Sequence, residues 1–420
     1  MGEQKKPEDF NLLDHATASD PYEFYRVLHE QQPVYRMPQT GIYILTKYDD
    51  VRAALRDPER FSSVVERGKV MQKTENFETF MGILRTRGWE HVPTLQRTDP
   101  PLHNRTRGIV DRVLGPRHAR ALTPQLRDHA AKLIDAIIEK AKAGETCEFL
   151  ADFAVPFPGI IVAEQIGLPS SEYRTFKRWA ENLHAPFNPN LTQEQITKVA
   201  ETELEMQHYL ADMIEQRRAA PKADLISELV QGIEGEEPLS MHELQNVLHQ
   251  LISGGYDTVT TALGHMMWQF VRFPDLVAEL RADPSKIRNF IEESLRWESP
   301  VQGLFRITKV DVDIGGTTIP AGSICIMRYA AANRDESHFA CPAKLDIARP
   351  NATSHLAYGA GAHFCPGAVL ARTELMVAAE ALLDRLEGFT LAKPLPEPVH
   401  NFALNFMPMR ELHVTVTPRA

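Results

Sequence analysis

An apolar stripe of helical period between residues 240 and 274 constrains the fold of this chain more than any other feature. Ser240 and Glu243 have the spacing of a capping box that starts a helix. The apolar positions continue from Leu244 to Val271, and Pro274 follows them. A helix of about 32 residues is roughly 48 Å long. We therefore predict one helix that crosses the whole body of the protein.

The remaining patterns are mostly helical, with a few short strands. Residues 122–143 carry a second stripe of 3.6-residue period. Residues 310–320 alternate around Gly315-Gly316, as a hairpin does. Further helices are predicted at 20–31 (with Pro21 as the first helical residue), 48–57 and 366–385, and further strands at 41–46 and 412–417. The chain should be mainly α with minor β structure.

The composition is that of a globular protein and excludes several classes. A formal charge of −10 excludes a generally basic nucleic-acid-binding protein. No stretch reaches about 18 uninterrupted apolar residues, and residues 1–9 lack the apolar segment of a signal peptide, so we expect no membrane span and no secretion. The four cysteines form no CxxC pair, and a reducing cytoplasm is the simplest setting. Since repeats and linkers are absent, we expect one domain over 1–420, with 1–19 as an N-terminal extension and no fused reductase.

The segment 358–372, YGAGAHFCPGAVLAR, is the densest chemical signal. Proline is favoured at the first position of a helix, so Pro366 would place Cys365 at a helix N-terminus, where the helix dipole stabilises a thiolate. Close approach of a flat ligand would be allowed by three glycines, Gly359, Gly361 and Gly367. The alternative is a structural cysteine buried at a glycine-rich turn.

This segment resembles the haem-binding loop of the cytochrome P450 family, with Tyr358 in place of the family's Phe. The resemblance covers about residues 20–418 and implies the P450 fold, with a long central helix over the haem and small β-sheets. It implies that haem b (iron protoporphyrin IX) is the cofactor and that Cys365 is the thiolate ligand of its iron, a ligand that favours O–O cleavage. His363 resembles the position that bonds a haem propionate.

Glu293 and Arg296 form an ExxR motif, in which both side chains lie on one helix face. Such a pair alone is usually a weak ion pair on the surface. In the resembled family this helix lies under the haem loop, and its Arg bonds a second Arg, matched here by Arg349. The resemblance thus implies a buried structural network of these three residues. His355, further along the same passage, is grouped with the cofactor-binding residues.

The segment Gly254-Gly255-Tyr256-Asp257-Thr258 lies within the predicted long helix. Two glycines within a helix cost roughly 1 kcal/mol each relative to Ala, so we expect something bulky against them. An acid beside an alcohol is suited to relaying protons. The alternative is a close helix crossing with a solvated Asp. The segment resembles the oxygen-binding helix of the P450 family, which implies catalytic roles for Asp257 and Thr258.

Three cationic positions complete the predicted cofactor site. His103 and Arg107 lie one helical turn apart and can hold an anion between them. Arg306 begins the segment that leads into the predicted hairpin. Taken singly, each would be an exposed charge. The resemblance implies that they bind the carboxylates of the haem. The loop glycines Gly359 and Gly367 belong to the same cofactor site, where they allow close approach of the flat ligand.

The resemblance implies a monooxygenase that inserts one atom of O₂ into a C–H bond. The expected substrate is a small or medium hydrophobic molecule of terpenoid, aromatic or lipid-like type. The residues expected to line its pocket are Phe77, Phe80, Leu84, Phe187, Gly254, Leu304 and Phe406. The alternatives are another haem-thiolate reaction, such as oxidative coupling or desaturation, and a haem-binding sensor without catalysis. Asp257 and Thr258 favour an enzyme, because a sensor needs no proton relay.

Electrons must come from a separate protein, because no flavin or nicotinamide motif is found in the sequence. Between residues 103 and 120 one Asp, Asp111, stands against five arginines, Arg105, Arg107, Arg112, Arg117 and Arg120, which gives a local charge of +4. The resemblance places this segment on the face behind the cysteine. We predict that it docks an acidic ferredoxin-type donor, which a reductase supplies. The alternative is a solvated helix face.

Overall fold

The chain folds mainly into α-helices, as the sequence predicts. The computed structural model describes residues 5–65, 75–183, 185–187, 191–233, 235, 237–393 and 404–419. The α-helices in these ranges are α1 (His15–Ser19), α2 (Tyr22–Gln31), α3 (Tyr48–Leu55), α4 (Glu75–Arg87), α5 (Leu102–Val113), α6 (Pro116–Lys142), α7 (Pro156–Gln165), α8 (Tyr173–Asn182), α9 (Gln193–Ala219), α10 (Leu225–Gln231), α11 (Met241–Arg272), α12 (Pro274–Ala282), α13 (Ile287–Trp297), α14 (Tyr329–Ala332) and α15 (Ala368–Arg385).

The β structure of the described ranges is confined to small sheets. The strands are β1 (Val34–Arg36), β2 (Tyr43–Leu45), β3 (Phe61–Ser62), β4 (Cys147–Glu148), β5 (Leu304–Thr308), β6 (Val312–Ile314), β7 (Thr317–Ile319), β8 (Ile324–Met327), β9 (Leu386–Leu391) and β10 (His413–Pro418). They form a five-stranded sheet of order β1-β2-β8-β5-β3, a three-stranded sheet of order β4-β10-β9 and the hairpin β6-β7. The predicted hairpin is confirmed, and both of its turn glycines have positive φ.

The contacts of the chain divide it into two compact units. The larger unit comprises residues 1–62, 119–157 and 257–420, and the smaller unit comprises residues 63–118 and 158–256. Because these segments alternate along the chain, neither unit is a contiguous stretch of sequence.

The long helix α11 is observed with the length that the sequence predicts. It covers 32 residues, from Met241 to Arg272. The capping box is formed, because the Ser240 N–H donates to Glu243 at 2.8 Å and the Glu243 N–H donates to the Ser240 hydroxyl at 3.3 Å. No helix in the described ranges has both the length and the apolar character that a membrane crossing requires.

The five-stranded sheet of the larger unit positions Arg306. In β5, side chains alternate between two faces, and Arg306 pairs with Cys325 of the antiparallel neighbour β8. Phe305 packs toward a core that includes Phe24, Ile44 and Ile326. Leu304, on the same face as Arg306, packs against the other core, which includes Val51, Phe61 and Met327. Strand β5 therefore lies between two packed layers, and Arg306 is on the face that packs against the second core.

Some predicted boundaries are wrong. Pro21 is the N-cap of α2 and not its first residue. The helix after the cysteine begins at Ala368, with Gly367 as its N-cap, so Pro366 is not its first residue either. A turn intervenes, in which the Ala368 N–H donates to the Cys365 carbonyl at 3.3 Å. Cys365 thus belongs to the loop before the helix.

Candidate active site

The loop that carries Cys365 is shaped by glycines in the left-handed region. Gly359 has φ +70° and Gly361 has φ +71°, conformations that L side chains rarely adopt. A Cβ at Gly361 would lie 2.3 Å from the Leu55 carbonyl oxygen, so only glycine fits there. The Cys365 N–H donates to the Tyr358 carbonyl at 2.9 Å and closes the loop. Cys365 as a residue is partly exposed.

The other three cysteines differ from Cys365 in burial or in local backbone. Cys147 and Cys325 are buried in the larger unit, and burial raises the pKa of both thiols, that of Cys325 to about 12. Cys341 is exposed. Only Cys365 combines partial exposure with a glycine-shaped loop.

Arg306 is a buried cation whose surroundings fit an anionic ligand. The residue is 5% exposed, and its Nη1 donates to the Phe305 carbonyl at 2.8 Å. Among the described residues no carboxylate pairs with its guanidinium. Burial raises the pKa of Tyr329. The charge of Arg306 lowers this pKa and a charge on Cys365 raises it, which indicates that Tyr329 is near both groups. A buried arginine without an acid partner suits a carboxylate such as a haem propionate.

His103 and Arg107 lie on α5 of the smaller unit. His103 is 1% exposed, and burial lowers its pKa, so its ring is neutral and offers one N–H donor. Arg107 pairs with Asp111 one turn on, with Nε and Oδ1 2.7 Å apart. Asp111 is far more exposed than Arg107, so this ion pair contributes little.

The grouping of His355 with the cofactor ligands is wrong. Its Nε2 lies 3.1 Å from a carboxylate oxygen of Glu292, and its Nδ1 accepts the Ala357 N–H at 3.1 Å. The side chain is 1% exposed. Both ring nitrogens are thus used within the protein, and neither is available to a propionate.

His355 instead belongs to a buried network that the sequence analysis missed. Arg372 donates from Nε and Nη2 to the two oxygens of Glu292, at 2.6 and 2.9 Å. Its guanidinium also lies 4.4 Å from the centre of the Tyr358 ring. Burial raises the pKa of Glu292, but hydrogen bonds from His355 and Arg372 outweigh it and lower the pKa to about 2. The network joins α13 and α15 to the start of the cysteine loop.

This network should make stability depend on pH in acid. The pKa of Glu292 is about 2 in the folded protein against 4.5 for an ordinary Glu. Its stabilisation is therefore complete above pH 4.5 and is lost as the pH falls toward 2, by on the order of 3 kcal/mol. We expect Glu292→Gln to show a flatter fall of the unfolding free energy over this interval than wild type in urea titrations. The assignment would be contradicted if the unfolding free energy of Glu292→Gln fell with pH as steeply as that of wild type. It would also be contradicted if Glu380→Gln, which changes an exposed glutamate, flattened the fall to the same extent.

The structure brings Glu293, Arg296 and Arg349 together in the core of the larger unit. Arg296 donates to both oxygens of Glu293, at 2.7 and 2.8 Å, and Arg349 Nε lies 3.0 Å from each of them. Glu293 and Arg296 are 0% exposed. The expected bond between the two arginines is wrong, because guanidinium groups are donors only and repel each other. They share one carboxylate instead. Their other N–H groups donate to backbone carbonyls of Asn333, Pro342 and Lys344 (Arg296) and of Ala340 and Lys344 (Arg349).

Asp257 and Thr258 follow the two glycines of α11. Both are half-buried and lie in the larger unit. A Cβ at Gly255 would lie 3.1 Å from Val162, so a bulky neighbour is present there, as the sequence predicts. A Cβ at Gly254 would meet no described heavy atom within 4 Å outside its own helix turns. The helix surface at Gly254 is therefore open and has room for a ligand.

The predicted pocket residues separate into two groups. Phe80 and Leu84 are fully buried in a core of the smaller unit with Ile196, Ala200 and Leu204. Phe80 and Leu84 are therefore core residues and not pocket residues. Local sequence does not predict this, because their packing partners on α9 are more than 100 positions away. The side chain of Phe187 lies outside the described residues. The half-buried candidates that remain are Phe77, Leu304 and Phe406, with the open position Gly254.

Three of the five arginines of the predicted basic face form contacts within the protein. Arg105 pairs with Glu243 and donates to the Pro238 carbonyl at 3.0 Å. Arg112 donates to the Glu228 carbonyl at 3.2 Å. These side chains, like Arg107, hold the protein's own structure together. Arg117 and Arg120 are exposed and have no ion pair within the described ranges.

The mainly α-helical fold, the glycine-shaped cysteine loop and the buried glutamate–arginine network occur together in this chain. The sequence model of the family "Cytochrome P450" matches residues 2–408. The chain therefore belongs to the cytochrome P450 family, whose cofactor contains haem iron, and it is a monooxygenase and thus an oxidoreductase.

Known relatives match nearly the whole chain. Cyclomarin C epoxidase CymV of Salinispora arenicola is 32% identical over 87% of this chain and 88% of its own. Mycinamicin IV hydroxylase/epoxidase of Micromonospora griseorubida is 35% identical over 88% and 89%. The solved structure of cytochrome P450 CYP109Q5 from Chondromyces apiculatus superposes with a TM-score of 0.85 at 30% identity and covers 98% of both chains.

Proposed function

We propose that this monooxygenase uses haem b to oxidise a small or medium hydrophobic molecule of terpenoid, aromatic or lipid-like type. The observation that carries the proposal is the partly exposed Cys365 in its glycine-shaped loop, near Tyr329. Tyr329 is also near Arg306, which forms no ion pair within the described part of the chain. Haem held by a thiolate supplies oxygen activation when bound. A reduced, carbon-monoxide-treated sample should show the absorption of thiolate-ligated haem, and a nitrogen-ligated spectrum would reject the proposal.

In this proposal each cofactor residue has a defined task. Cys365 ligates the iron. Arg306 and His363 would each donate to a propionate, and the same task is assigned to His103 and Arg107. Gly359 gives the loop its left-handed turn, and Gly367 caps α15 beside the thiol, where a Cβ would come 3.9 Å from Sγ.

Proton delivery is assigned to Asp257 and Thr258. Both side chains are half-buried, so they are close enough to solvent to be recharged with protons. They stand one turn beyond Gly254, where the helix surface is open. The hydroxyl of Thr258 would orient the transferred proton, and Asp257 would supply it.

Thr258→Ala should uncouple electron use from oxidation. We expect haem content and substrate binding to be retained, peroxide to accumulate, and product per electron to fall by roughly two orders of magnitude, the lower end of the range for positioned proton transfer. Product and peroxide are measured against consumed reductant. The control is Thr260→Val on the same helix, because the Thr260 hydroxyl has no hydrogen-bond partner among the described residues. Full coupling in Thr258→Ala would refute the relay.

The substrate class rests on pocket character and on relatives. Within the larger unit, Leu304 and Phe406 offer apolar surface beside packed strands. The two relatives named above carry the names of a cyclomarin C epoxidase and a mycinamicin IV hydroxylase/epoxidase. Epoxidation of a C=C bond is thus a second outcome beside C–H hydroxylation. A panel of terpenoid, aromatic and lipid-like compounds is screened for a spin-state shift of the haem, and the products of those that bind are then analysed.

The electron donor is proposed to be a ferredoxin, with its reductase, in the cytoplasm. All four cysteines are free thiols, which suits a reducing compartment. A donor surface with acidic residues would be attracted by the exposed arginines Arg117 and Arg120, which the fold does not use internally.

Arg117→Glu should slow reduction by an acidic ferredoxin. Reversal of one exposed charge lowers the association rate and its salt dependence, and we expect roughly a tenfold slower reduction at low ionic strength. Stopped-flow reduction at several salt concentrations measures this. Arg174→Glu is the control, since it makes the same charge change at another exposed site of the smaller unit. Equal effects of both variants would argue against a defined docking face.

A further inference from the structure

Three side chains of ligand type converge in the smaller unit, apart from every residue that the proposed function uses. His91 lies in the loop between α4 and α5, Glu203 on α9 and His249 on α11. Each offers one ligand atom, and these three atoms lie within 4.8 Å of one another. The His91 Nε2 and the Glu203 Oε1 are 3.4 Å apart.

The spacing is close to that of a tetrahedral metal site. With metal–ligand bonds of about 2.0–2.1 Å, two ligand atoms on one zinc ion lie about 3.4 Å apart. His91 and Glu203 already have this separation, and no other pair would have to close by more than about 1.4 Å. Two imidazoles on one zinc ion have ring centres about 5 Å apart. The ring centres of His91 and His249 are separated by 4.9 Å.

The carboxylate is held in place by a second layer of hydrogen bonds. Gln207, one turn beyond Glu203 on α9, donates to Glu203 Oε1 at 3.3 Å. Its own oxygen accepts the Trp89 N–H at 2.8 Å, which anchors the loop that carries His91. Gln245 of α11 donates to the Gln207 carbonyl at 2.7 Å. Such outer partners are typical of metal ligands, because they fix orientation before the ion binds.

The charge of the cluster also calls for a cation. The side chain of Glu203 is 3% exposed, and its partners among the described residues are two imidazoles and one amide, with no Lys or Arg. A buried carboxylate is costly without a positive partner. A divalent ion between the three groups supplies that charge.

We propose that His91, Glu203 and His249 bind one zinc ion, with water in the fourth position. Two imidazoles and one carboxylate are a zinc-type donor set, whereas Mg²⁺ and Ca²⁺ prefer oxygen ligands alone. The ion would join the loop before α5 to α9 and α11 and so stabilise the smaller unit.

The test uses the haem-loaded full-length protein, freed of metal by a chelator and titrated with Zn²⁺. We expect one tightly bound zinc per chain by calorimetry, a rise in the unfolding temperature, and two imidazole ligands in zinc X-ray absorption, which haem iron does not disturb. Glu203→Gln and His249→Ala should lose this binding. His242→Ala, an exposed histidine in the first turn of α11, should keep it.

Several results would overturn the proposal. Wild-type protein that binds no stoichiometric zinc would leave the cluster as an imidazole–carboxylate pair. Zinc that both variants retain, or an absorption spectrum without imidazole scattering, would place the metal elsewhere. The wild-type measurements need no variant to fold, and haem absorption of each variant reports whether it has folded.

Discussion

The variant Cys365→Ser should lose the spectrum of thiolate-ligated haem and all oxidation of substrate. A serine hydroxyl is not ionised at neutral pH and does not donate electron density to iron as a thiolate does. We expect turnover to fall to the background of free haem, because the oxygen-activating step depends on that donation. The reduced carbon-monoxide spectrum and product formation measure the two losses separately.

The matched control is Cys341→Ser, which changes an exposed thiol in the same unit. It should keep both the spectrum and the activity. Cys147 and Cys325 are poor alternatives, since burial raises the pKa of both thiols and disfavours the thiolate. If Cys365→Ser kept the spectrum while Cys341→Ser lost it, Cys341 and not Cys365 would be the iron ligand, and the glycine loop would not be the haem-binding loop.

Features with a local sequence signature were predicted correctly. The length and cap of α11 follow from a period of 3.6 and a capping box, and the β6-β7 hairpin follows from alternation around two glycines. Both signals depend on residues that are neighbours in the chain. The start of α15 differs from the prediction. Pro366 predicts a helix start, but a turn closed by the hydrogen bond from the Ala368 N–H to the Cys365 carbonyl delays the helix to Ala368.

Features that depend on distant residues could not be predicted from spacing. Glu292 finds His355 63 positions away and Arg372 80 positions away. Its neighbour Glu293 drew attention because the ExxR pattern is local. The acid Glu292 directly before that motif and the arginine Arg372 at the end of the loop motif are the sequence signal for this network. The basic face was overestimated for the same reason, since Arg105 meets Glu243 138 positions on.

Glu293→Gln is expected to produce the largest loss of stability. It leaves Arg296 and Arg349 buried without a counter-charge, and breaking a buried pair in this way costs about 3–5 kcal/mol. The urea unfolding of haem-loaded protein, followed by far-UV circular dichroism, measures the loss. The control is Glu380→Gln, which breaks an exposed pair with Arg127 and should cost at most about 1 kcal/mol.

The two glutamate variants also distinguish a structural from a catalytic role. If Glu293 serves only the fold, Glu293→Gln molecules that remain folded at low temperature should show the same haem spectrum and the same product per electron as wild type. The Asp346 N–H, which donates to Glu293 Oε1 at 2.9 Å, can still find an amide oxygen in the variant, so the passage toward the cysteine loop keeps its course. A folded variant with altered coupling would show that the network also positions the loop that carries Cys365. A loss of stability no larger than that of Glu380→Gln would mean that backbone carbonyls alone suffice to stabilise both buried arginines.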